Sequence, residues 1–442
     1  NRVRPFSSMD SQNPEDLWQF MGAYEQTTGG RVLAIPHNGN LSNGLMFSDK
    51  TYLGEELTQS YTQTRVRWEP LIEVTQIKGD GESHPFLSPD DGFAGFELWD
   101  TGNLADWVPK ENWMLQYEYA RSALKLGLEV ESQTGVNPFK FGLIGSSDTH
   151  TSLAAVEENN FSGKFTTLEP HPRRIGESSV PGNEDAPTGQ STRYSASGYA
   201  AVWATENTRE ALFDAMQRRE TYASTGPRIM VRFFGGWDFE VDDDKRSDYV
   251  AVGYEKGVPM GGDLTSVPGN SPPKFLVLAS KDPLGAQLDR IQIVKGWLDS
   301  GGDGHERVYD VVLSDDRKAE AHSGGAPVLE STVDVENATY INNQGEALLS
   351  TVWGDPDFDP NQNAFYYARV IEIPTPRWST YEAALFGLKL PKDVPAIIQE
   401  RAYTSPIWYT PSTESEVGIV QYSEADATVT VCHSGAGCGT RR

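Results

Sequence analysis

Seven histidines are spread over 442 residues, and three of the first four fall where chemistry is plausible. His37 closes the apolar run RVLAIPH (31–37), His84 lies in the loop KGDGESHP (78–85), and His150 closes FKFGLIGSSDTH (139–150). Asp148 and His150 are one residue apart, so both side chains can leave a strand end together and offer a carboxylate oxygen and an imidazole nitrogen to one cation. That donor pair suits Zn, Mn or Fe better than Ca. The alternative is a plain turn with a hydrogen-bonded histidine, and His37 on its own poses the same choice. Between His37 and Asp148, the stretch near 44–92 is long enough to fold as an insertion over the strand ends, and it carries Lys78 and His84. An ammonium and an imidazole there could bind a phosphate or sulfate oxygen or protonate a leaving group; otherwise they belong to a solvated loop. Asn38 and Asn40 read as turn residues.

The elements that must hold these groups follow from periodicity. Residues 13–29 read as a helix, with Asn13-Pro14 at its start and Gly29-Gly30 at its end. RVLAIPH, LIEVTQIKG (71–79), GFAGFELWD (92–100) and FKFGLIGSSDTH read as strands, and 112–135 as a helix. Continuous apolar strands alternating with helices argue for an α/β unit with a covered sheet. Residues 157–197 read as a long polar surface loop, 200–203 as a short apolar piece, and 206–225 as one more amphipathic helix. Beyond Gly226-Pro227, alternating runs such as IMVRFFGGW, PKFLVLASK, RIQIVKGW, VYDVVL, AFYYARVIEI and SPIWYT predict an antiparallel β domain. The expected division is 1–226 and 227–442.

Charge and composition exclude several functions. Lys plus Arg is 37 and Asp plus Glu is 63, so the formal net charge is -26, which repels nucleic acid and anionic lipid. An anionic substrate would need a locally positive site, and a metal would supply one. No apolar run approaches the ~18 residues of a membrane span. No G-x-S-x-G elbow, P-loop or strand-linked G-x-G-x-x-G is present, which removes the usual signals of serine hydrolases, nucleoside triphosphatases and Rossmann oxidoreductases. Cys432 and Cys438 in VTVCHSGAGCGT could close a small disulfide, with a zinc site through His433 as the rival. The loop DPDFDPNQN (355–363) lacks the Gly and distal Glu of an EF-hand. The opening NRVRPFSSMDSQ has neither an initiator Met nor a basic-then-apolar leader and reads as the interior of a protein.

IPHNGN (35–40), FELWDTGN (96–103) and FGLIGSSDTHTS (141–152) resemble the later motifs of the PHP (polymerase and histidinol phosphatase) metallohydrolases. More closely, IPHNGNLSNGLMF, EVTQIKGDGESHP, NPFKFGLIGSSDTH and STGPRI resemble an uncharacterised bacterial family related to them, domain of unknown function 3604, over nearly the whole chain. The resemblance implies a PHP-like distorted (β/α) barrel followed by an antiparallel β-sandwich-like domain. It implies a site of two or three divalent ions (Zn, Mn or Fe) hydrolysing a small anionic ester, a phosphoester first and a sulfate ester as the alternative. His37, Asp148 and His150 match its metal-site motifs, and Glu97 matches a strand position as a further ligand. Lys78 and His84 match the closer family only and are expected to meet the substrate anion. The His-x-His, Asp-His and Glu motifs that open PHP proteins are absent, so an N-terminal segment or companion chain is expected to supply the remaining donors and first strands. The rival from another class is a catalytically inactive protein binding a carbohydrate or protein partner, and a cofactor-free hydrolase is a third reading. The acidic surface and the possible disulfide point to the periplasm or exterior, with the cytoplasm as the alternative.

Overall fold

The computed structural model describes residues 3–104, 108–176, 191–264, 271–318 and 328–411, together with the backbone of 429–433 and 436–441. Helix α1 (Pro14–Thr28) starts where its cap predicts: Asn13 Oδ1 accepts from the Glu15 amide at 3.1 Å, and Gly29 closes the last turn at φ 70°. Its Trp18 and Met21 pack on Tyr61 and Trp68 of α2 (Gln59–Trp68). The expected strand 31–37 does not form. Pro36 has no amide hydrogen, and the segment makes two backbone bonds to its neighbour, Ala34 N to Trp68 O at 2.7 Å and Glu73 N to Pro36 O at 3.0 Å. It still runs alongside and parallel to β1 (Leu71–Gln76).

After β1 the chain turns into β2 (Gly79–Asp80), which pairs antiparallel with the end of β1. The expected strand 92–100 is instead a series of turns, because Asp91 accepts from Phe93 and Ala94 and Glu97 adopts φ 42°, incompatible with a ladder. The single helix expected over 112–135 is two, α3 (Asn112–Leu115) and α4 (Ala120–Thr134). The break occurs because the first amides of α4, Ala120 and Arg121, donate to the Gly81 and Glu82 carbonyls of the preceding loop at 2.8 and 3.0 Å. Strand β3 (Gly142–Gly145) then lies parallel to β1, with Leu71 opposite Gly142.

Strand β4 (Tyr199–Val202) and α5 (Arg209–Gln217) lead to β5 (Thr221–Ser224), so the tail of the expected 206–225 helix is a strand. Its Thr-Tyr-Ala-Ser sequence favours that state and is paired on both sides. The second half supplies β6 (Met230–Gly236), α6 (Tyr249–Lys256), β7 (Gly257–Pro259), β8 (Asp263–Leu264), β9 (Lys274–Ser280) and β10 (Leu288–Leu298). It continues with β11 (Gly304–Leu313), β12 (Leu348–Gly354), β13 (Ala364–Glu372), β14 (Thr375–Pro376), α7 (Trp378–Phe386), β15 (Ile397–Ile398), β16 (Arg401–Thr404) and β17 (Ile407–Tyr409). Strands β18 (Val429–His433) and β19 (Ala436–Arg441) form a separate hairpin. The disulfide and zinc readings concern the side chains of Cys432, His433 and Cys438, which lie outside the described residues.

The architecture is mixed α/β with several antiparallel sheets, and among the described residues no closed barrel is present. The largest sheet runs β11-β10-β13-β16-β5-β4, with β17 and β8 joined at one end of β13. The expected boundary at 226/227 therefore falls inside one hydrogen-bonded sheet, since β5 pairs with β16. Alternation along its strands builds two cores. Ile291, Ile293, Tyr366 and Ala368 face the sheet β12-β9-β6-β7, while Val294, Phe365 and Tyr367 face β1, β3 and α4.

Within this second interface lies a dry network of charges. Arg369 of β13 grips both oxygens of Asp91 at 2.7 and 2.9 Å, and Arg121 of α4 reaches Asp91 at 2.9 Å and Glu82. All four side chains are at most 2 % exposed. Burial opposes ionisation of Asp91, but the guanidiniums of Arg369 and Arg121 outweigh it and hold the carboxyl well below the usual range. Removing one partner of such a pair leaves the other charge buried, so Asp91→Asn is expected to cost about 3–5 kcal/mol in urea unfolding at pH 7. Because the folded pKa is depressed, that stabilisation is complete above the unfolded value of about 4 and is lost only as pH falls through the lower folded value. The gap between the two proteins should thus stay constant from pH 7 to 5; a gap below about 1 kcal/mol would mean the network does not bear on folding.

Candidate functional site

Parallel pairing of β1 and β3 brings their carboxyl ends to one edge: Thr75 faces Gly145, and Ser146 N donates to Thr75 O at 3.0 Å. Lys78 leaves β1 and Asp148 leaves β3 on that edge, which is where α/β sheets collect ligands. His37 emerges beside them from the segment parallel to β1, and its side chain is exposed. Two close approaches set the path of the chain. At Gly198 an added Cβ would lie 2.0 Å from the Ser224 carbonyl, and at Gly79, with φ 94°, it would lie 2.7 Å from the Glu97 carbonyl.

Asp148 is the centre of the cluster and stands at φ 47°, a left-handed conformation that is uncommon outside glycine. Its carboxylate is ion-paired with Lys78, and Lys164 Nζ reaches Oδ2 at 2.8 Å and the Asp148 carbonyl at 3.0 Å. His150 Nε2 lies 3.3 Å from Asp148 Oδ1 and 3.2 Å from Lys164 Nζ, and Phe165 holds the ring edge-on at 5.1 Å. Glu73 of β1 accepts from the Ser146 hydroxyl through Oε2, while its buried Oε1 has no hydrogen-bond partner.

Both lysine side chains are less than one tenth exposed. Burial and the neighbouring Lys164 charge push the Lys78 ammonium down to about 7, and burial lowers Lys164 as well. His150 is also lowered, by burial first and then by the two lysines. The result is a compact cluster in which two buried lysines and an imidazole gather on one carboxylate, within a chain of net charge -26. Behind it, Asn38 precedes the turn Gly39–Leu41 and Asn40 lies within it, both turn residues as expected, and they brace the strand end. Gln76 Nε2 donates to Asn38 Oδ1 at 2.7 Å, and Asn40 Nδ2 donates to the Lys78 carbonyl at 3.0 Å.

The other residues singled out in the sequence are placed differently. Glu97 is held by Arg377 in a two-point pair at 2.8 and 2.7 Å. His84 is buried with both nitrogens engaged: Nδ1 accepts from the Phe86 amide at 3.0 Å, and Nε2 contacts Asp100 at 3.1 Å. In the loop 355–363, Asp355 is taken by Lys295 and Tyr366, and Asp357 by Arg307 and Tyr309. Among the described residues, no group of three or more His, Cys, Asp or Glu is arranged to hold a metal ion. Lys164 and Glu73 were missed in the sequence. Lys164 sits in a polar stretch with no periodicity, and Glu73 is one residue of an apolar strand; the alternation of β1 would have put Glu73 on the opposite face from Val74, a weak signal.

The sequence model of a family described as "Protein of unknown function (DUF3604)" matches residues 1–411. The chain belongs to that family. No curated protein and no solved structure gives a significant match. The whole strand-end cluster of this DUF3604 protein, from His37 to Lys164, falls within the matched region.

Close packing at Gly198 makes a direct test of how the edge is built. Gly198→Ala is expected to lose about 1–3 kcal/mol in denaturant unfolding, as overpacked sites do. Unchanged stability would contradict the contact between the Gly198 and Ser224 backbones that shapes this edge.

Proposed function

We propose that this protein is a metal-dependent hydrolase of small phosphate esters whose site is the cluster of Lys78, Asp148, His150 and Lys164. The observation that carries the proposal is two buried ammonium groups converging on Asp148 beside an imidazole, on the carboxyl edge of a parallel strand pair. On a surface as acidic as this one, paired buried lysines suit a multiply charged oxyanion. In this reading β1, β3 and the segment 31–37 are part of a PHP-like (β/α) barrel, and the packed sheets of the second half are its β-sandwich-like companion.

The donor atoms fit a metal in part. Asp148 Oδ1 and His150 Nε2 are 3.3 Å apart, close enough to share one cation, and Glu73 Oε1 is a buried acceptor without a partner. His37 stands on the same edge. These residues would hold the metal, with further donors coming from outside the described residues; Glu97, spent on Arg377, does not fit. When bound, a divalent ion of this kind activates water and neutralises charge on the ester. The chain's own part is to bind and orient. Lys78 and Lys164 hold the phosphoryl oxygens, and Lys78, with its lowered pKa, can give up a proton near neutral pH. His84, tied to Asp100 and the Phe86 amide, acts in this scheme by fixing the 79–86 loop rather than by touching substrate.

A sulfate ester would meet the same two lysines and is the alternative substrate class. A second reading, an anion-binding protein without catalysis, is favoured by the lack of three metal donors in one group among the described residues. Elemental analysis of the native protein, paired with a phosphate- and sulfate-monoester screen, separates these. The hydrolase reading expects stoichiometric Zn, Mn or Fe and a kcat/KM that falls by about 100-fold or more in Lys164→Met, as for a lost charge-stabilising donor. A folded native protein with no bound metal and no esterase activity would leave only the binding reading.

A further inference from the structure

A cavity of about 320 Å³ shares no lining residue with the strand-end cluster. Five carboxylates line it, Glu157, Glu158, Asp282, Glu372 and Glu400, against a single guanidinium, Arg228. Glu372 ends β13 and Glu400 directly precedes β16, and the two are joined by a backbone bond, Glu372 N to Glu400 O at 2.9 Å. Glu372 is 1 % exposed and Glu400 is 3 % exposed. Glu372 Oε1 has no hydrogen-bond partner, while the carboxyls of Glu158 and Glu400 meet each other as a pair. The remaining oxygens of Glu158 and Glu400 are occupied by the Trp378 amide and the Thr225 hydroxyl.

The cations nearby act on these glutamates only through space, Arg377 on Glu158 and Glu400 and Lys281 on Glu372, and make their hydrogen bonds elsewhere. Arg377 is bound to Glu97 and the Tyr194 carbonyl, and Lys281 Nζ donates to the carbonyls of Asp282 and Gly285, each at 2.8 Å. Arg228 is 70 % exposed and stands 4.0 Å from Glu157. Five carboxyl groups therefore line this cavity against one guanidinium, an imbalance that is costly unless something cationic meets it.

We propose that this cavity binds a small organic cation through a primary ammonium or guanidinium group. An ammonium has three N–H donors, one for the open Oε1 of Glu372 and others for the neighbouring carboxyls of the lining. Tyr340 and Tyr381 line the same cavity and offer aromatic faces for the cation and its methylenes. The volume lies at the lower end of small-molecule sites. A metal ion fits less well, because no group of three or more acidic or histidine side chains among the described residues is arranged to hold one. Burial raises Glu158, Glu372 and Glu400 above the usual carboxylate range, which accords with a site that awaits a positive partner.

The test is calorimetric titration and thermal melting of the full chain with 1,4-diaminobutane and agmatine, against uncharged 1,4-butanediol and calcium chloride at matched ionic strength. Expected are saturable one-to-one binding of at least one of the cations and a higher melting temperature, with no response to the diol. Glu372→Gln keeps the volume and removes one charge, and should weaken binding at least tenfold; if it fails to fold, Glu400→Gln serves in its place. The proposal is overturned if neither organic cation binds saturably, if the folded glutamine variant binds as the natural protein does, or if calcium binds more tightly than either and displaces it.

Discussion

The buried pairing of Arg121 and Arg369 with Glu82 and Asp91 is the constraint on which the rest of the structure rests. Glu82 and Asp91 stand in the loop that follows Lys78, Arg121 opens α4, and Arg369 sits in the middle strand of the largest sheet. Four charged side chains removed from water and neutralised chiefly by one another must all be present for any of them to be tolerated. The network therefore locks the α/β edge carrying Lys78 and Asp148 to a sheet whose other strands come from far along the chain. Tyr367 and Gln292 complete it, bonding Glu82 and Arg369.

From that lock follows the placement of the strand-end cluster. The carbonyls of Gly81 and Glu82 receive the first amides of α4, so the loop that carries the network also sets where α4 begins and fixes the return of the chain after β2. Gly79 passes close to the Glu97 carbonyl, and the Asp80 amide bonds that same oxygen at 3.0 Å. Glu97 in turn belongs to Arg377. The residue expected as a metal ligand thus acts as a clamp between the 92–100 turns and the start of α7. Asp148, with Lys78, Lys164 and His150 gathered on it, is the centre that results.

Much of the fold is legible in the sequence where local signals and tertiary context agree. Asn13-Pro14 and Gly29 bound α1, and the alternating runs of the second half give β6, β9, β10 and β13 because their faces meet two different cores. Legibility fails where long-range bonding overrides local pattern. Pro36 spoils a ladder that RVLAIPH otherwise suggests, and the apolar spacing of Phe93 and Phe96 serves to place rings against arginines, with Phe96 3.8 Å from Arg401. Helical periodicity across 112–135 cannot reveal that the Gly81 and Glu82 carbonyls interrupt it. At the site, the nearness of Asp148 to His150 and the position of Lys78 by the strand ends are readable from spacing and position. Lys164 is not, since only folding brings a lysine 16 residues after Asp148 back onto its carboxylate.

The central claim is that Lys78 and Lys164, gathered around Asp148, form the anion-binding half of a phosphoester site. Its most direct test is a crystal structure of the protein soaked with inorganic phosphate. The account predicts a phosphate held by both lysine ammonium groups beside His150, with Asp148 still in contact with at least one of them. Well-ordered phosphate bound elsewhere, with the lysines closed on Asp148 as before, would contradict it.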